Sequence, residues 1–196
     1  MLVYAISVVY ITYLAFRDAA ISFETWTALI WVLTAFNSVH AMQKSFSRDA
    51  GYRHIYLYQL VAPQALMLGK LIYNILFNIL VVGLTFLLVV FFIGLPEEAD
   101  TDWGTIIYVL ITGAAGFSAV LTFVAAVASR TGNNPGLMAI LSFPLLLPLI
   151  LTQVPLTLQC IDPQLLIDQG MLAVAPALTV LAATLGYLLF PYLWRD

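Results

Sequence analysis

Six long runs of apolar residues, separated by short polar breaks, dominate this sequence. Crossing the hydrocarbon core of a bilayer takes about 20 apolar residues of helix, and a segment in lipid must satisfy its own backbone hydrogen bonds. The runs do not show the period-two alternation of membrane barrel strands. We therefore predict an all-α polytopic membrane protein with six transmembrane helices. The predicted spans are about residues 2–16, 26–42, 66–94, 106–128, 137–158 and 171–194.

The composition of the 196-residue chain supports this class. Apolar residues make up 63% of it and charged residues 9%, against roughly 45–50% and about 25% in an ordinary soluble domain. The mean hydropathy is +1.01. These values exclude a soluble globular domain, a disordered chain and a nucleic-acid binder. A single cysteine, Cys160, excludes a disulfide within the chain, and we expect this residue in an outer loop at 159–170.

Two of the runs have unusual lengths. The first, at 2–16, is about 22 Å long as a helix and so shorter than a hydrocarbon core of about 30 Å. It lacks the basic start of a signal peptide, and we expect a spanning helix whose beginning has been lost. The run at 66–94 is long enough to require a strong tilt or a projection from the membrane.

The basic residues are distributed unequally between the two sides of the predicted membrane. Six spans place both termini on one side, and that side holds every Lys and Arg except Arg17. The positive-inside rule therefore predicts that both termini are cytoplasmic. Aromatic residues near span ends fit the membrane interface. The inner basic residues are Lys44, Arg48, Arg53, Lys70, Arg130 and Arg195, and the aromatic residues are Trp26, Trp103, Tyr187, Tyr192 and Trp194.

The spans hold few residues that could carry chemistry. Ionisable groups at membrane depth mark proton and ion pathways, and no acidic or basic residue lies in the middle of a span. We therefore predict that the chain is not an enzyme, with no catalytic, cofactor-binding or metal-binding residues. His40 and His54 could ligate haem iron, but both lie on the predicted cytoplasmic side. We favour an interfacial packing role for both.

Polar and small residues within the spans predict contacts between helices. Amides and hydroxyls bond across helices, and small residues allow close approach. We prefer this interpretation to a substrate path, and we expect prolines to bend the fifth helix. The polar residues are Asn37, Ser38, Asn74 and Asn78. The small ones are Gly113, Ala114, Ala115, Gly116, Ser118 and Ala119, and the prolines are Pro144, Pro148 and Pro155.

The longest cytoplasmic connection, at 43–65, is the most informative. A basic stretch is followed by an amphiphilic segment that a proline closes, and a short helix fits this length. One interpretation is a helix lying on the lipid headgroups. The other is a coupling helix that docks on a cytoplasmic ATPase, with Arg53, His54, Tyr56, Leu57, Tyr58, Gln59, Leu60, Val61, Ala62 and Pro63 as the candidate contact residues.

Several segments together resemble the haem exporter protein B (CcmB) family, and the resemblance covers nearly the whole chain. It rests on Lys44-Ser45-Phe46, Leu60-Val61-Ala62-Pro63, Lys70-Leu71-Ile72-Tyr73-Asn74, Gly116-Phe117-Ser118, Asn133-Asn134, Leu137-Met138-Ala139-Ile140-Leu141-Ser142-Phe143-Pro144 and Leu188-Leu189-Phe190-Pro191-Tyr192-Leu193-Trp194-Arg195.

The resemblance implies the membrane subunit of an ABC transporter for cytochrome c maturation in the bacterial inner membrane, with an ABC-2-type exporter fold. Two copies would pair with two copies of a cytoplasmic ATP-binding subunit and with further maturation subunits in the membrane. Haem would be a cargo of the complex, and no cofactor would be bound directly. Two alternatives stay open: a permease for another cargo, such as a lipid or polysaccharide, and a membrane assembly scaffold without energised movement.

Overall fold

The computed structural model describes residues 2–16, 21–47, 63–96, 99, 101–130 and 135–194. The described part of the chain is helical and contains no strand. Numbered in chain order, the helices are α1 (Leu2–Phe16), α2 (Phe23–Ser47), α3 (Pro63–Phe92), α4 (Trp103–Arg130), α5 (Pro135–Ile161) and α6 (Gln169–Trp194).

Four of these helices are long and apolar enough to cross a membrane: α3, α4, α5 and α6. The apolar part of α1, Val3–Phe16, is shorter. Among the described residues, α2 does not combine the required length and apolarity, because polar residues such as Asn37, Ser38 and His40 interrupt it. The structure is therefore that of a helical, membrane-embedded protein.

Most helices run past the apolar spans predicted from the sequence. α2 begins before Trp26 and continues beyond Met42, and α4 begins at Trp103. The first backbone N–H groups of a helix have no partner within it. Side-chain oxygens that accept hydrogen bonds from these groups allow a helix to begin in polar sequence. The Ser22 hydroxyl accepts from the N–H of Thr25 at the start of α2. Asp102 caps α4 and Asp168 caps α6.

The chain folds into a bundle with α4 at its centre. α4 contacts α2, α3, α5 and α6, and α2 also packs against α3 and α5. α2 and α3 are antiparallel, since Asn37 bonds to Thr85 while Trp26 bonds to Gly94. The outer helix α1 packs on α3 and, less extensively, on α2.

The apolar residues divide between the interior and the outside of this bundle. Buried apolar side chains come mainly from α2 and α4 and from one face each of α3 and α5. Large exposed apolar side chains lie mainly on α1, α3, α5 and α6, for example Leu80 at 71% exposure and Leu151 at 70%. A soluble protein would not expose so much apolar surface, whereas lipid accepts it.

Trp26 departs from the expected position at the membrane interface. The side chain is buried, and its indole N–H donates to the carbonyl of Gly94 at 2.8 Å. Gly94 has a φ of 84°, a conformation that favours glycine, directly after the end of α3. Trp26 thus ties the start of α2 to the end of α3, whereas Trp103 is half exposed as expected.

Candidate functional site

The predicted coupling segment lies mostly outside the described residues. Nothing is described for residues 48–62, which include the candidate contacts from Arg53 to Ala62. Pro63 is the first residue of α3, a position where the missing N–H of proline costs nothing. Helix therefore occupies both ends of the predicted 43–65 connection, and the end of α2 and the start of α3 lie at the same end of the bundle.

His40 lies between two helices at that same end. Its imidazole is half-buried and stacks on the ring of Tyr4 in α1, with ring centroids 4.7 Å apart. No group of three or more His, Cys, Asp or Glu side chains that could hold a metal is found among the described residues. The stacking gives His40 a contact with a second helix, and its role stays a prediction, while His54 lies outside the described residues.

Cys160 is not in a loop, contrary to our prediction. It belongs to the last turn of α5 and is buried. Its backbone carbonyl accepts the N–H of Asp102 at 3.1 Å, which fastens the end of α5 to the start of α4. α5 continues three residues beyond Leu158, where the predicted span ended. Cys160 is therefore part of the helix, and its side chain is buried in the bundle.

Four helices meet around Gly113 in the middle of α4. A Cβ atom on Gly113 would lie 2.6 Å from Cζ3 of Trp31 in α2 and 3.4 Å from Cδ of Gln153 in α5. The adjacent residue, Ala114, accepts a hydrogen bond from Asn78 in α3 through its carbonyl, at 3.0 Å. We call Trp31, Asn78, Gly113, Ala114 and Gln153 the Gly113 junction.

Hydrogen bonds inside the bundle hold this junction together. The indole N–H of Trp31 donates to the hydroxyl of Thr157 at 2.8 Å, joining residues 126 positions apart. The Thr157 hydroxyl in turn donates to the carbonyl of Gln153. Because these groups are fully or nearly fully buried, water cannot replace a lost partner without entering the bundle.

A second set of polar contacts fastens α3 to its neighbours. The Asn74 amide donates to the hydroxyl of Thr122 at 2.9 Å, and the Ser118 hydroxyl donates to the carbonyl of Asn74. On the other side of α3, the Asn37 amide donates to the hydroxyl of Thr85 at 2.9 Å. These bonds confirm the predicted role of the asparagines in interhelical contact.

The small residues of α4 also lie inside the bundle. A Cβ on Gly116 would come 2.9 Å from Cδ2 of Leu149 in α5 and 3.0 Å from the hydroxyl oxygen of Thr179 in α6. Gly113 and Gly116 therefore allow three neighbouring helices to approach the backbone of α4 closely. This confirms the close approach that the sequence predicted.

Five buried side-chain oxygens have no hydrogen-bond partner among the described residues. One is the hydroxyl of Thr101, just before α4. The other four lie within helices, and they are the hydroxyls of Thr34 and Ser38 in α2 and the amide oxygens of Asn78 and Gln153. All four residues are completely buried. Unpaired buried polar atoms are uncommon in folded proteins, so this concentration is a distinctive chemical feature of the bundle interior.

The described part of α5 is one helix despite its three internal prolines. The half that follows Leu146 is anchored, with Leu149, Leu156 and Ile161 buried. In the first half, Met138 and Ser142 are the residues that reach the interior, while Ile140 is 71% exposed. The prolines at 144 and 148 lie close to the point where this packing changes.

The carboxylate of Asp102 has a defined environment at the start of α4. It accepts from the hydroxyl of Thr105 at 2.6 Å and from the N–H of Gly104 at 3.1 Å. The hydrogen bond from the Thr105 hydroxyl, together with backbone N–H bonds, holds the pKa of Asp102 below its ordinary value. Asp102 is thus ionised at neutral pH, where it also complements the helix dipole.

The sequence indicated the members of the Gly113 junction only in part. Asn78 and the small residues of α4 were recognisable as interhelical contacts. The sequence did not indicate that Trp31 and Gln153 contact other helices, because an indole or an amide within an apolar run can face either lipid or protein.

Comparisons with protein-family models, with curated proteins and with solved structures find no match to this chain.

Proposed function

We propose that this chain is the six-span membrane subunit of an ABC transporter that acts in cytochrome c maturation. The resemblance of its sequence segments to the haem exporter protein B family supports the assignment. A cytoplasmic partner would hydrolyse ATP, and the complex would export haem or release a haem-loaded chaperone on the outer side. The chain itself would bind no cofactor.

The burial pattern supports six spans. α2 is less apolar than its neighbours, but Thr34, Asn37 and Ser38 are buried against protein and need not be accommodated by lipid. The shorter α1 packs along α3. In this proposal both helices cross the bilayer with the four longer ones.

The positions of the end of α2 and the start of α3 support a coupling role for the residues between them, and they are the observation on which the proposal depends most. α2 ends at Ser47 and α3 begins at Pro63, so the segment connects two adjacent, antiparallel helices. One of these, α2, packs against α3, α4 and α5. A force applied to residues 48–62 would therefore reach the centre of the bundle through α2.

The charge distribution supports a cytoplasmic position for this end. Lys70 lies near the start of α3 and Arg130 at the end of α4, at the same end of the bundle as the end of α2. The opposite end carries Asp102, Asp162 and Asp168. With the basic end inside, both termini would be cytoplasmic.

Affinity purification from the native host tests the proposal. We expect the tagged full-length chain, in mild detergent, to co-purify a nucleotide-binding subunit together with cytochrome maturation proteins. Deletion of the gene should abolish holo-cytochrome c. An ATPase with unrelated neighbours would instead indicate a permease for another cargo, and the absence of any ATPase would indicate a scaffold.

Paired substitutions test the coupling segment. The variant Tyr58→Asp/Leu60→Asp should lose the ATPase subunit, because two buried carboxylates in an apolar docking groove are costly. The matched control is Leu166→Asp, which introduces the same charge at a residue that is 91% exposed at the opposite end of the bundle. Retention of the ATPase and of full activity by the Tyr58→Asp/Leu60→Asp variant would refute the coupling role.

A further inference from the structure

We propose that a small cluster of water molecules binds next to the Gly113 junction, in the interior of the bundle. The water binds to four of the unpartnered oxygens, those of Thr34, Ser38, Asn78 and Gln153. The inference concerns the folded chain alone and does not depend on the proposed transporter function.

Contacts around Gly113 connect the helices that carry these oxygens. Trp31 and Gln153 both lie within contact distance of a Cβ placed on Gly113, and the carbonyl of the next residue, Ala114, is bonded to Asn78. Thr34 follows Trp31 by three residues and Ser38 by seven, which places both on the Trp31 face of α2. In this proposal, the four oxygens share a space between α2, α3, α4 and α5.

The hydrogen-bonding capacity of these groups matches water. The two amide oxygens, on Asn78 and Gln153, can only accept. The amide nitrogens already donate, to the carbonyl of Ala114 and, at 3.5 Å, to the hydroxyl of Thr112. The hydroxyls of Thr34 and Ser38 can donate as well as accept. An occupant must therefore both donate and accept, as water does.

A metal cation fits this site less well. A cation accepts lone pairs but offers no acceptor to the two hydroxyl protons. Its charge would also require compensation in a low-dielectric interior, and α2, α3, α4 and α5 carry no Asp or Glu near the junction. Neutral water avoids this cost, and buried waters typically make about three hydrogen bonds to otherwise unsatisfied groups.

Isosteric substitutions distinguish a hydrated site from a dry one by the sign of the change in Tm. Thr34→Val and Ser38→Ala remove a hydroxyl without opening much space. If water occupies the site, we expect Tm to fall by about 2–4 °C, because the water loses a partner. If the oxygens are dry and unpaired, removing one should raise Tm, since an unsatisfied polar group disappears.

Thr152→Val is the matched control for these variants. Thr152 is also buried, but its hydroxyl donates to the carbonyl of Pro148 within α5. Its substitution reports the loss of an intrahelical hydroxyl bond without water. A larger fall in Tm for Thr34→Val than for Thr152→Val supports the proposal, and an equal change or a rise overturns it.

X-ray hydroxyl-radical footprinting of the full chain in detergent provides the second measurement. Radicals formed from bound water oxidise adjacent side chains, so Trp31 should be labelled although it is completely buried. The labelling should fall several-fold in Thr34→Val/Gln153→Leu. Met67, buried beside Gly186 away from the junction, serves as the reference. Absence of labelling at Trp31 in the unmodified chain, or labelling that the variant leaves unchanged, overturns the proposal.

Discussion

α3 and α4 are neighbouring helices of similar length, yet they have different surroundings. Within the most apolar stretch of each helix, 72% of the residues of α4 are buried inside the bundle, whereas only 28% of those of α3 are. α4 is surrounded by α2, α3, α5 and α6, whereas one side of α3 carries exposed leucines. The comparison shows that two helices which are both apolar enough to cross a membrane can serve protein packing in one case and contact with lipid in the other.

The two helices use glycine differently for this reason. Gly113 and Gly116 in α4 lie against side chains of other helices, whereas a Cβ on Gly69 or Gly83 in α3 would meet nothing within 4 Å. Substitution of glycine by alanine therefore provides a direct test of the comparison.

Gly113→Ala should cause the largest loss of stability. The new methyl group would overlap the ring of Trp31, and relief of such overpacking costs about 2–3 kcal/mol in free energy of unfolding. Thermal unfolding in detergent, followed by tryptophan fluorescence, measures the change. Gly83→Ala is the control, and we expect it to be neutral or stabilising by up to about 1 kcal/mol. Equal destabilisation by both variants would contradict the distinction between α4 and α3.

Trp31→Phe should lower stability by about 2 kcal/mol. The change removes the N–H bond to Thr157 and part of the ring that fills the space beside Gly113. The matched variant Trp103→Phe alters a half-exposed ring at the start of α4 and should shift stability by less than about 0.5 kcal/mol. Chemical unfolding with increasing SDS measures both, and a larger effect at Trp103 would exclude a central role for Trp31.

The bond between Asn37 and Thr85 should contribute a smaller, pairwise amount. Interhelical polar pairs in membranes average about 0.6 kcal/mol and reach about 1.7. A double-mutant cycle with Asn37→Ala and Thr85→Val isolates this coupling from the effects of the single changes. The pair Asn37 and Leu80 should show no coupling, because the Leu80 side chain cannot hydrogen-bond and is 71% exposed. A coupling energy of zero for Asn37 and Thr85 would show that this hydrogen bond does not help to hold α2 against α3.

Asp102 should give the smallest effect, visible as a pH dependence. Because its pKa is lowered in the folded state, the stability that it contributes is present above its ordinary pKa of about 3.9. That stability is lost as the pH falls through the lowered folded-state value. Asp102→Asn should reduce the fall in Tm at acidic pH. A pH profile for Asp102→Asn identical to that of the unsubstituted chain would contradict the assignment.

The helical membrane class was predictable because the composition and the long apolar runs each indicate it. The helix ends were less predictable, since capping by Ser22, Asp102 and Asp168 extends helices into polar sequence. Cys160 shows the consequence: its polar neighbours indicated a loop, but the residue is in the last turn of α5.

The site was predictable only where a residue type implies its own partner. An asparagine in a span needs a hydrogen bond wherever it lies, so Asn74 and Asn78 were recognised. The contact between Trp31 and Gly113 depends instead on how α2 and α4 are placed in space, which local patterns do not encode. The coupling residues 53–62 stay a prediction.

The enclosure of α4 has a consequence for the order in which the bundle is assembled. Translation delivers α4 to the membrane before α5 and α6, but the space beside Gly116 is filled by Leu149 of α5 and Thr179 of α6. Until both of these helices have inserted, the small-residue face of α4 borders lipid. The centre of this protein is therefore completed last, and a nascent chain that stops before α6 lacks the helix that closes it.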